Sequence, residues 1–110
     1  MRYSLAMIVL FCAAVLEAGG DALIRMALRG PTLARTLLFF VCGGLVLTFY
    51  GYVVNAPRWD FGRLLGVYVA FFFIVAQLIA WIGFGQKPTT MILLGGALIV
   101  AGGCIVSLAN

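Results

Sequence analysis

The sequence contains no histidine and only three acidic residues, Glu17, Asp21 and Asp60, among 110. Without imidazole, metal sites and acid–base centres built on histidine are excluded. Charged residues make up 9% of the chain, against about 25% in an ordinary soluble domain. With 65% apolar residues and a mean hydropathy of +1.22, the chain is expected to be an integral membrane protein. Its three cysteines, Cys12, Cys42 and Cys104, fall inside apolar runs and lack metal-ligand spacing. They are expected to be buried free thiols. The net charge of +4 comes from residues near the ends of those runs and forms no basic face, so nucleic acid is not an expected partner.

Crossing roughly 30 Å of hydrocarbon takes about 20 predominantly apolar residues. Four runs qualify: residues 4–28, 36–55, 64–84 and 91–109. Each must be helical, because backbone groups in lipid find no water. The expected fold is an all-α membrane protein, a single four-helix transmembrane domain over residues 1–110 whose helices pack around their own core. Arg2 and the apolar stretch after it resemble a signal peptide. Glu17 and Asp21 spoil the small-residue cleavage site, so the stretch is read as a retained first span. Pro31, Pro57 and Pro88 punctuate the three connections. Trp59 and Trp81 fall near the expected interfaces, where aromatic belts form.

One end of the spans carries Arg2, Arg58 and Arg63, and the other Arg25, Arg29, Arg35 and Lys87. So small a bias permits insertion in both orientations and makes an antiparallel dimer available. Four helices can hardly enclose a substrate pathway alone, so a homodimeric bundle is expected.

The chemistry concentrates in the first span. A charged side chain at mid-bilayer costs about 2.5–3.5 kcal/mol on insertion scales and usually marks function. Glu17, Asp21 and Arg25 recur at i, i+4 and i+8, along one stripe of a helix. The expected division makes Glu17 the proton-exchanging group and pairs Asp21 with Arg25; a polar seam between helices is the plainer alternative. Gly19 and Gly20 allow close approach of another backbone. Tyr50 in the second span, and Tyr68 and Trp81 in the third, are candidates to line a cavity for a cation, which aromatic faces attract. In the fourth span, Gly95 and Gly102 share one face, and Ala97 and Ala101 form a small-xxx-small pair. These four are candidates for the dimer seam. No nucleophile–base pair suggests an enzyme, and no cofactor is expected.

These features resemble the small multidrug resistance family of the drug/metabolite transporter superfamily. Glu17, Gly20 and Arg25 fall where that family has a glutamate, a glycine and a basic residue. Trp81 with Gly85-Gln86-Lys87 matches its third-helix tryptophan and following turn, and Gly95, Leu98, Ile99 and Gly102 match its dimerisation pattern. Asp21 is a departure, as is Leu65 with Tyr68 where the family has Tyr and Trp. Ala70-Phe71-Phe72 replaces a Gly-x-Gly hinge. Gly62-Arg63 resembles instead a related group of four-helix membrane proteins. The resemblance implies proton-coupled export of small or lipophilic cations across a bacterial inner membrane by an antiparallel homodimer, with Glu17 of both copies sharing one site. The missing hinge points to an alternative: a non-transporting scaffold, or a subunit of a hetero-oligomeric, lipid-handling transporter.

Overall fold

The computed structural model describes residues 2–109. Four helices account for most of them: α1 (Tyr3–Leu28), α2 (Leu33–Val54), α3 (Phe61–Phe84) and α4 (Thr90–Ser107). All four are long and apolar enough to cross a membrane. The shortest, α4, has 18 residues and spans roughly 27 Å at 1.5 Å per residue.

The helix ends follow the local chemistry. α2 starts three residues earlier than the apolar run, because the Thr32 hydroxyl accepts the Arg35 N–H at 3.2 Å. Thr89 caps α4 in the same way, accepting from the Ile92 N–H at 3.3 Å. α3 stops at Gly85, whose φ of 68° closes the last turn, with its N–H on the Trp81 carbonyl.

The helices do not close around a common core, contrary to expectation. Among the described residues α1 packs against α2 and α3, and α3 against α4, giving an open row in the order α2–α1–α3–α4. The row measures 50 × 34 × 18 Å, the width that four helices side by side require. It curves, so that Tyr50 of α2 and Tyr68 of α3 meet across α1, ring centroids 5.8 Å apart. As an inner member of the row, α1 holds the fully buried Leu10, Ala13 and Ala14. Large apolar side chains cover the outer faces, as lipid allows and water does not. Cys12 and Cys104 lie on that exterior and Cys42 is half-buried, which corrects the expectation of buried thiols.

Close contacts rest on particular glycines. A Cβ on Gly43 of α2 would come within 3.1 Å of the Gly20 carbonyl on α1. On α4 the two glycine doublets divide their work. Gly96 packs against the Phe73 ring and Gly103 against the Ala70 methyl, whereas Gly95 and Gly102 face open space. At the loop end of α3 away from Gly85, Arg63 donates to the Ser107 carbonyl at 2.8 Å and lies over the Trp59 ring. Trp59 in turn stacks on Tyr3 of α1.

Gly103→Ala sets a methyl 2.8 Å from the Ala70 Cβ, which has no rotamer to yield. It should destabilise the fold by roughly 1–3 kcal/mol. Gly44→Ala on α2, where nothing lies within 4 Å, should be neutral or stabilising. Thermal melting in detergent micelles distinguishes the two.

Candidate functional site

Alanine makes the site possible. Ala13, Ala14 and Ala18 are buried and leave room for α3 to approach α1 where Glu17 projects. Tyr68, 4% exposed, fills that crossing and donates its hydroxyl hydrogen to Glu17 Oε1 at 2.7 Å. Its oxygen also lies 3.4 Å from the Ala13 carbonyl. Tyr50 faces both Glu17 and Tyr68 from α2. Phe72, one turn along α3, extends the aromatic wall with its ring 6.1 Å from that of Tyr68. Three helices thus converge on a single half-buried carboxylate.

The arrangement has two states by elementary hydrogen-bond chemistry. Tyr68 has one O–H, and a carboxylate accepts without donating. While Glu17 is ionised, the hydroxyl hydrogen belongs to it. Once Glu17 carries a proton, the carboxyl can donate to the Tyr68 oxygen, and the hydroxyl hydrogen can turn to the Ala13 carbonyl. A proton on Glu17 would therefore change which acceptor the Tyr68 hydroxyl serves, beside the aromatic faces of Tyr50 and Phe72.

The chain belongs to the UPF0060 membrane protein family. It is 32% identical over 98 residues to a UPF0060 membrane protein of Desulfitobacterium hafniense, with 88% of each chain covered. A UPF0060 membrane protein of Clostridium perfringens is 30% identical over 99 residues, covering 88% of this chain and 86% of its own. No family model matches the chain, and no solved structure does.

In this UPF0060 chain the remaining candidates are distributed along α1, α3 and α4. Asp21 is exposed and lines a cleft of about 300 Å³ between α1 and α3, with Ala18, Phe72, Ala76 and Arg25. The expected Asp21–Arg25 ion pair is not formed among the described residues. Arg25 instead reaches the Phe84 ring, 5.4 Å from its centroid, at the end of α3, where helix carbonyls favour a cation. Trp81 is half-exposed, 13 residues beyond Tyr68 and so roughly 20 Å along α3, with the Lys87 ammonium over its ring. Gly20 packs against Leu47 of α2, while Gly19 has open space beside it. Gly95, Ala97 and Ala101 are exposed and Gly102 is half-buried with open space beside it among the described residues, but at about 100° per residue Ala97 and Ala101 fall on a different side of α4 from the glycines.

The sequence pointed to Tyr68 by residue type and missed its acceptor. The alanines around Glu17 were the available sign, since only small residues let a second helix come so near. Tyr68→Phe and Glu17→Gln should each lower stability, and their double variant should lose less than the sum. A coupling of about 1–2 kcal/mol is expected in a double-mutant cycle read by denaturant titration. Strict additivity would show that the bond contributes nothing.

Proposed function

We propose that this protein is a proton-coupled exporter of small or lipophilic cations, acting as a homodimer in a bacterial inner membrane. The observation that carries the reading is the Tyr68 hydroxyl on Glu17 Oε1, 2.7 Å away, under the Tyr50 ring. It sets a titratable group and cation-attracting faces at one point inside an apolar layer. Protons arriving from one side discharge the bound cation, and the cation displaces the proton from the other. The resemblance to small multidrug resistance transporters supports the same reading, since Glu17 falls where that family has its glutamate.

Homodimerisation is part of the proposal. One chain forms an open row, so its Glu17 site stays open on one side. A second copy across that opening encloses the site and brings a second Glu17 to it. The near-even distribution of cations between the two ends favours an antiparallel arrangement. The free edge of α4 at Gly95 and Gly102 is a suitable seam. The relatives named above are bacterial membrane proteins, which supports the location.

One observation favours a second reading, that of a scaffold or of a subunit of a hetero-oligomeric transporter. α3 runs unbroken from Phe61 to Phe84, with no glycine between Gly66 and Gly83 to act as a hinge. Proton release separates the readings. Tetraphenylphosphonium added to weakly buffered protein in detergent should release protons in the native chain and none in Glu17→Gln, with a melting curve verifying that the variant is still folded. Silence from the native chain across a broad cation panel supports the scaffold. Full transport by Glu17→Gln overturns the exchange mechanism.

A further inference from the structure

At the opposite end of α1 from its start, a second polar feature has no part in the Glu17 site. A cavity of about 470 Å³ opens where the α1–α2 connection meets the end of α3. Arg25, Arg29 and Arg35 line it, together with Pro31, Phe84 and Gln86. Among the described residues no acidic side chain lines it. Asp21, one turn before Arg25, faces the neighbouring cleft and forms no ion pair with it among the described residues.

Three cations around one cavity repel one another, and Arg25 and Arg29 stand at the unfavourable i, i+4 spacing for like charges. Helix polarity accounts for two of them: Arg25 lies in the last turn of α1 and Arg29 at its C-cap, where the helix end is negative. Arg35 has no such account. It lies in the first turn of α2, where the helix end is positive and an acidic residue is preferred. Its position suits an anion held between the α2 N-terminus and the guanidinium groups.

The donors are also available. Arg25 rests over Phe84 at 5.4 Å and Arg35 over Phe39 at 5.0 Å, contacts that fix a guanidinium by its face and leave its N–H edge unused. Among the described residues none of the three side chains donates a hydrogen bond within the chain. Arg63, at the other end, contrasts with them, since it is spent on the Ser107 carbonyl. Guanidinium edges match phosphate oxygens bidentately. The cavity sits at the ends of α1 and α3 and the start of α2, and Phe84, Pro31 and Met26 give it an apolar flank.

We propose that this cavity binds the phosphate of an anionic lipid headgroup, held by Arg25, Arg29 and Arg35. The assignment is independent of cation export. It gives the chain a lipid-sensing end, one turn from Asp21 and sharing Arg25, Phe84 and Gln86 with the cleft beside the Glu17 site.

Native mass spectrometry of the full chain tests it, released from detergent with equal phosphatidylglycerol and phosphatidylcholine. The native chain should retain phosphatidylglycerol in preference by roughly tenfold or more. Arg29→Gln with Arg35→Gln should abolish the preference, and Arg58→Gln at the other end should leave it unchanged. Equal retention of the two lipids by the native chain overturns the proposal without recourse to any variant. So does a preference that survives in the double variant. Displacement by millimolar inorganic phosphate identifies free phosphate as the ligand and overturns the lipid assignment.

Discussion

A carboxylate inside a membrane helix must be compensated, and the structure supplies its compensation through one tyrosine. Glu17 projects from α1, a helix packed on both sides, and Tyr68 reaches across from α3 to donate to it at 2.7 Å. Much of the neighbouring packing serves that contact. The buried alanines thin α1 so that α3 can approach. Gly66 and Gly103 then bring α4 against the opposite side of α3, where any larger residue would push it away. Gly20 and Gly43 set α2 close enough for Tyr50 to complete the aromatic wall. Small residues therefore determine the geometry, as they must where lipid removes the hydrophobic drive between helices.

The open row has a functional meaning. A closed four-helix bundle would enclose Glu17 on all sides. The row leaves it half-buried, with Tyr50 of α2 and Tyr68 of α3 against it and one side open. On the proposed homodimeric reading, that is half a site. On that reading, what covers the opening decides what reaches the carboxylate. The Asp21 cleft and the arginine-lined cavity continue from the same side of α1 toward the membrane surface, so polarity grades outward from the site rather than ending at it.

The helices and Glu17 were legible in the sequence for simple reasons. Four apolar runs of spanning length admit only helices, and a lone glutamate among them has no ordinary explanation. Prolines placed the connections, while the helix starts moved by up to three residues because Thr32 caps α2 and α3 opens at Phe61. Hydropathy could not reveal which helices touch, since every face of a membrane helix is apolar. The open row was thus invisible. So was the division between Gly95 and Gly96, or Gly102 and Gly103, because residue identity does not say which glycine meets a neighbour. The Asp21–Arg25 stripe was a reasonable expectation from i, i+4 spacing alone. In the structure Arg25 lies instead over Phe84 at the end of α3, which no local pattern announces. UPF0060 membership follows from likeness along most of the chain and leaves the chemistry to the site itself.

Glu17 is the sole glutamate in the chain, which permits a direct measurement. Protein labelled with 13C at the glutamate carboxyl gives one carbon resonance of interest. Tetraphenylphosphonium should move that resonance along a single saturable curve, and a drop in pH should reverse the movement as the proton displaces the cation. A Glu17 resonance that titrates with pH yet ignores every cation offered would contradict the account, leaving the carboxylate a structural partner of Tyr68 and nothing more.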